Sequence, residues 1–251
     1  SEQPQRKLEL LMTMERKKIG LVVPSSNTTT EPDFYRVMPA NVSLHSHRIW
    51  LEDTTLEDLD SMNREAEIAA KYVGTAAVDV IAYACTSGSF LGGPGYDQKL
   101  LTTLTKSSGG APAIGTSPAM IEALRALGIK RVSVVTPYLD SINERLVEFL
   151  NGHEFDVVGI AGQQIVRNTE IGLQLPSTIL EFARESLDRS ADGYFLSCTN
   201  WRSFEVVEQL ERESDKPVVT SNQATIWAAF RSLGLQDPIS DFGGLLRMPT
   251  T

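Results

Sequence analysis

The chain has 251 residues, enough for one or two domains with a full apolar core and no need of disulfide or metal staples. Apolar residues make up 41% and charged residues 22%, ordinary for a globular protein, and no run of about 18 apolar residues offers a membrane span. A net charge of −9 without a long basic run argues against nucleic acid as the partner, and the N-terminus lacks the apolar core of a secretory signal.

Residues 1–16 are polar and then briefly rich in Leu and Met, and read as an extension outside the functional fold. Lys18–Pro24 is a short continuous apolar run, as a strand buried on both faces requires. The polar loop Ser25-Ser26-Asn27-Thr28-Thr29-Thr30 leads into a short helix ending near Met38, and Val42–Trp50 reads as a second strand. Thr55–Gly74 carries Leu56, Leu59, Met62, Ala66, Ala69 and Ala70 at helical spacing. Val78–Ala84 is a third strand. Gly92-Gly93-Pro94-Gly95 is a turn before a helix through Leu101 and Leu104. Pro112–Gly115 is a fourth strand, followed by a helix that Gly128 caps.

The pattern then restarts. Lys130–Pro137 echoes the first strand, a helix over Asn143–Leu150 follows, and a strand runs around Phe155–Ile160. After a loop at Arg167–Leu175 come a helix at Ser177–Leu187, a strand at Tyr194–Ser197 and a helix at Phe204–Glu213. Pro217–Ser221 matches Pro112–Ser117 with a one-residue gap, and Ala229–Gly234 matches Ala123–Gly128. Alternating strands and helices predict an α/β fold. The duplication makes it two copies of a doubly wound, four-stranded parallel sheet. Ligands of such sheets bind beyond the carboxyl ends of the strands.

The two cysteines sit at matching strand ends. Asp79 opens the run that closes on Cys85-Thr86, and Asp192 opens the run that closes on Cys198-Thr199. The same 113 residues separate the aspartates and the cysteines (192 − 79, 198 − 85). A lone Cys in an apolar strand is ordinarily a small buried hydrophobe. Two at a common offset, each followed by hydroxyl or amide side chains, point instead to one active site between the halves. With no further cysteine, a disulfide pairing is the weaker reading and a reducing cytosol the expected location.

A cysteine between a strand's end and a helix's start faces backbone N–H groups, surroundings expected to lower its pKa. Thr86 and Ser87 on one side, with Thr199 and Asn200 on the other, supply donors for a carboxylate or enolate oxygen. Two mechanisms fit: two-base proton transfer, giving a racemase, or thiolate addition to an alkene, rotation and elimination, giving a cis–trans isomerase. Neither needs a cofactor. Asn27 fits two roles equally, capping the next helix or touching substrate. His45 and His47 share a strand face but lack completing ligands, so no metal is expected.

These segments resemble the aspartate/glutamate racemase superfamily, on the branch holding maleate cis–trans isomerases, arylmalonate decarboxylases and ectoine-utilisation proteins. Val-Pro-Ser-Ser-Asn-Thr-Thr at 23–29 is similar to the maleate-isomerase N-terminal motif, whose Asn falls on Asn27. Tyr-Ala-Cys at 83–85 is similar to the nucleophile segment and Ser-Cys at 197–198 to the proton-donor segment. Pro-Tyr at 137–138 and Asn168 match substrate-contacting positions. Thr86-Ser87-Gly88-Ser89-Phe90 looks instead like the decarboxylase segment, where Thr and Ser hold a carboxylate and the first cysteine is missing.

The resemblance implies two pseudo-twofold flavodoxin-like domains, 17–115 with 222–251 and 116–221, with the site between them. It implies catalysis by Cys85 and Cys198, and substrate binding by Asn27, Thr86, Ser87, Tyr138, Asn168, Thr199 and Asn200. The expected activity is maleate-type isomerisation of a small carboxylate without a cofactor, in a homo-oligomer. Racemase, decarboxylase and a non-catalytic ectoine-type binding protein are the alternatives.

Overall fold

The first sheet is built on β1 (Lys17–Pro24), whose Ile19, Leu21, Val22 and Val23 are wholly buried, as a strand covered on both faces must be. In the computed structural model, which describes residues 13–93, 95–235 and 237–248, β1 pairs in parallel with β2 (Val42–Ile49) and β3 (Val80–Tyr83). β4 (Ala113–Gly115) joins β3 and completes the order β2-β1-β3-β4. The second sheet repeats it: β5 (Arg131–Thr136), β6 (Asp156–Gly162), β7 (Gly193–Leu196) and β8 (Val218–Thr220) lie in the order β6-β5-β7-β8. The expected pair of four-stranded parallel sheets is what the chain forms.

Helices follow the strands. They are α1 (Thr30–Val37), α2 (Leu56–Gly74), α3 (Thr86–Phe90), α4 (Tyr96–Ser107) and α5 (Thr116–Ala126). The second half has α6 (Asp140–Gly152), α7 (Asn168–Gly172), α8 (Pro176–Ser186), α9 (Val207–Ser214), α10 (Ser221–Ser232) and α11 (Gly244–Arg247). Thr55 caps α2 by accepting the Asp58 N–H, and Thr220 with Gln223 forms a reciprocal capping box on α10. Gly128, at φ +71°, follows α5 as expected of a terminating glycine.

Three sequence expectations are corrected. The segment at Arg167–Leu175, expected as loop, holds α7. The helix expected at Phe204–Glu213 is a 3₁₀ turn at Arg202–Glu205 followed by α9. The helix expected from Asn143 starts earlier, at Asp140. Most of the N-terminal extension, residues 1–12, and Pro94 of the Gly-rich turn lie outside the described residues.

The repeated aspartates work at the end of the sheets away from the cysteines. Asp79 accepts the Lys18 N–H at 2.7 Å, and Asp192 accepts the Lys130 and Arg131 N–H groups at 3.2 and 2.8 Å. Each carboxylate thus satisfies the open amides where its central strand begins. At the opposite ends α10 joins the halves. It starts at β8 of the second sheet and packs on α5, β3 and β4.

Candidate active site

Both cysteines stand at carboxyl strand ends and line one cavity. Its wall comprises Pro24, Asn27, Leu51, Thr54, Cys85, Thr86, Ser87, Tyr138, Asn168, Cys198, Thr199 and Asn200. All nine residues expected from the sequence are therefore brought together. The cavity is closed down to about 10 Å³ measured by where a water's centre fits, room for about one water.

Cys85 caps α3. Its Sγ accepts the Gly88 N–H at 3.4 Å, and Ser87 Oγ lies 3.8 Å away. Cys198 follows β7 with a backbone φ of +153°, inside the range that L side chains rarely adopt. The Asn200 and Trp201 amides and the Tyr138 phenol ease its ionisation. Both thiols are free and buried. The expected lowering of their pKa is corrected here. Burial pushes Cys85 up to about 11 and Cys198 up to about 12, and the nearby donors oppose it only in part. A charge on Cys85 also disfavours one on Cys198, as two thiols sharing a site must.

The other polar groups tie the halves together. Asn27 takes the capping role of the two expected for it, its Oδ1 accepting the Thr29 and Thr30 N–H groups at the start of α1, while its Nδ2 donates to Thr199 Oγ1 at 3.2 Å in the cavity wall. Asn200 is a strut. Its Oδ1 accepts the Thr28 N–H and the Thr29 hydroxyl, and its Nδ2 donates to the Asn168 carbonyl at 2.7 Å. Asn168 Nδ2 in turn reaches Ser26 Oγ at 2.8 Å. A Cβ on Gly172 would stand 2.9 Å from Thr28 Oγ1 and 3.0 Å from the Asn200 amide, so α7 closes on the site only because residue 172 has no side chain.

Pro24, Leu51 and Thr54 are the wall residues that sequence reasoning missed: Pro24 reads only as the end of β1, and Leu51 and Thr54 lie in a connection with no motif. The Thr54 N–H pairs with the Val166 carbonyl at 2.7 Å, and Asp53 bridges Arg167, so this segment straps one half to the other. The Thr54 hydroxyl is buried in the wall and has no hydrogen-bond partner among the described residues. His45 and His47 are not among the wall residues: His45 contacts Ser43 Oγ and His47 stacks on Tyr72. Among the described residues no group of three or more His, Cys, Asp or Glu is placed to hold a metal.

The arylmalonate decarboxylase (Amdase) family model matches residues 19–246. The chain belongs to that family. Within it, the chain is 34% identical to the maleate isomerase of Nocardia farcinica, over 92% of this chain and 96% of that one. It superposes on the maleate isomerase of Pseudomonas putida with maleate at a TM-score of 0.88, with 27% identity over 93% and 98% of the two chains. It is also 27% identical to the arylmalonate decarboxylase of Bordetella bronchiseptica, over 86% of this chain and 90% of that one. A liganded arylmalonate decarboxylase variant superposes at a TM-score of 0.86 and an unliganded form at 0.74. No helix among the described residues is long and apolar enough to cross a membrane.

Proposed function

We propose that this chain is a cofactor-independent cis–trans isomerase of a small dicarboxylate of the maleate type. The observation that carries the reading is the joint presence of Cys85 and Cys198 in one closed, donor-lined cleft. A cysteine-to-serine mutant of the Nocardia farcinica relative holds a covalently bound succinylcysteine intermediate, which supports a thiol as nucleophile here.

The Cys85 thiolate adds to one alkene carbon, forming a C–S bond as the π pair moves to the other carbon and into its carboxylate. Cys198 gives its proton to that carbon and takes it back after rotation about the new single bond. The C–S bond then breaks, the alkene re-forms as the trans isomer, and the thiolate is regenerated. Asn27 Nδ2, Tyr138, the Thr86 and Ser87 donors and the Thr199–Asn200 turn hold the carboxylates and the developing enolate. Burial holds both thiols neutral near pH 7, and the Gly88 N–H and Ser87 Oγ are the groups placed to hold the Cys85 thiolate once it forms.

For this chemistry the chain divides into 17–115 with 222–251 and 116–221, a division supported by the packing of α10 on β3 and β4. A homo-oligomer in a reducing cytosol belongs to the same proposal, with exposed Tyr35, Leu173 and Leu175 available to an interface. Light scattering tests the assembly. Proton NMR of maleate in D₂O tests the reaction: the fumarate signal should grow with enzyme. CO₂ release from an arylmalonate with no change in maleate would overturn it in favour of decarboxylation. Inversion with α-deuterium on a chiral carboxylate would favour a racemase.

A further inference from the structure

Ser221 opens α10, is wholly buried and lies outside the cavity wall, yet its Oγ touches both cysteine turns. It accepts the Cys198 N–H at 3.0 Å and the Thr86 hydroxyl at 2.8 Å. The repeat-related Ser117 does neither. It donates to the Thr86 carbonyl and accepts from Ser89 Oγ, within the first half. The two copies of the Thr-Ser pair that follow a strand have therefore diverged, and the copy beside Cys198 alone holds a cysteine amide among the described residues.

We infer that Ser221 is a positioning residue that fixes Cys198 for proton transfer and sets its register against the Cys85 turn. Two observations support this. Cys198 holds a backbone conformation that needs outside support, and its N–H is buried beyond the end of β7, with Ser221 Oγ as acceptor. The Thr86 hydroxyl, one residue from Cys85, meets the same oxygen, so a shift of either turn moves the other. Asn222, the next residue, adds a second pin by donating to the Thr199 carbonyl at 3.0 Å.

The inference rests on the isomerase reading for its kinetic consequence, and the test separates the two. In Ser221→Ala the Cys198 N–H and the Thr86 hydroxyl both lose their acceptor, while Cys85 Sγ keeps the Gly88 N–H. Addition at Cys85 should persist and resolution of the adduct should slow. Steady-state turnover of maleate should fall roughly tenfold to hundredfold, the range that loss of a buried acceptor implies. Intact-mass and peptide analysis should find one maleate added to Cys85 at a level absent from the wild-type protein. Alkylation with iodoacetamide is a second readout, independent of maleate. Cys198 should react several-fold faster than in wild type, with a smaller change at Cys85, whose Gly88 N–H contact remains. Wild-type labelling at both thiols, or slowed turnover with no adduct and a matching loss of melting temperature, overturns the inference. If wild-type protein fails to isomerise maleate, the isomerase reading fails and the labelling arm still decides on Ser221. Should Ser221→Ala not fold, Ser221→Cys, of similar size and a weaker acceptor, takes its place with peptide-resolved labelling.

Discussion

The Thr199 hydroxyl donates to the Ala84 carbonyl at 3.1 Å, across the interface and one residue before Cys85. The Thr86 hydroxyl crosses the other way, to Ser221, which holds Cys198. Each threonine of a Cys–Thr pair is therefore anchored to the support of the opposite cysteine. These hydroxyls are thus taken up in tying the two cysteine turns together, which leaves the carboxylates to the backbone amides of the turns, Ser87, Asn27 and Tyr138.

Removing either sulfur should have unequal chemical consequences and similar kinetic ones. Cys85→Ala and Cys198→Ala should each lower turnover by several powers of ten, the range for a covalent nucleophile or a positioned acid. Cys198→Ser should in addition carry a mass increase of one maleate on Cys85. Full activity in Cys85→Ala, measured by NMR on maleate, would sink the two-thiol route and favour a one-cysteine decarboxylation.

The sheets and the cleft were readable because their signals are local and repeated. Asp79 and Asp192 begin their runs and Cys85 and Cys198 end them, so one spacing marks both ends of two strands. The strand-end geometry of parallel sheets then brings Asn27, Tyr138 and both turns together. What escaped depends on contacts distant in sequence. Thr54 enters the wall because its segment pairs with Val166, and Ser221 matters because α10 crosses between the halves. The thiol pKa escaped for a related reason: the donors beside each cysteine are visible in its neighbours, whereas desolvation is set by everything packed around the cleft.

That reversal predicts a pH profile. In a Cys198→Ala background, iodoacetamide should modify Cys85 slowly at pH 7, since burial holds the thiol neutral and lifts its pKa to about 11. The rate should rise about tenfold per pH unit and level off only near the raised pKa, because the thiolate is the reactive form. A plateau already reached at pH 8 would show a lowered pKa and contradict this cleft.

Thr54→Val should separate stability from binding. The variant keeps the shape and removes a buried hydroxyl that has no partner among the described residues. The ligand-free protein should gain about 1 kcal/mol by urea denaturation, as removal of an unsatisfied polar group implies. If Thr54 donates to a substrate oxygen, KM for maleate should rise about fivefold to tenfold with kcat nearly unchanged. An unchanged KM would assign Thr54 to packing alone.

Asp33, on α1, gives the fold its own pH dependence. It is buried, and Asn222 Nδ2 donates to it at 2.7 Å while also holding the Thr199 carbonyl. Desolvation raises its pKa from 3.8 to about 7, outweighing the Asn222 hydrogen bond and the pull of Arg36 and Arg202, with Glu205 adding to the rise. The folded protein therefore binds this proton more tightly than the unfolded chain. The stability from it is complete below about pH 4 and is lost as pH climbs to 7, by roughly 4 kcal/mol at most. Asp33→Asn keeps an oxygen for Asn222 and cannot ionise. Urea denaturation between pH 4 and 8 should find the variant close to wild type at the acid end and progressively more stable up to pH 7, then level. A constant difference across that range would mean that Asp33 is ionised in the fold throughout.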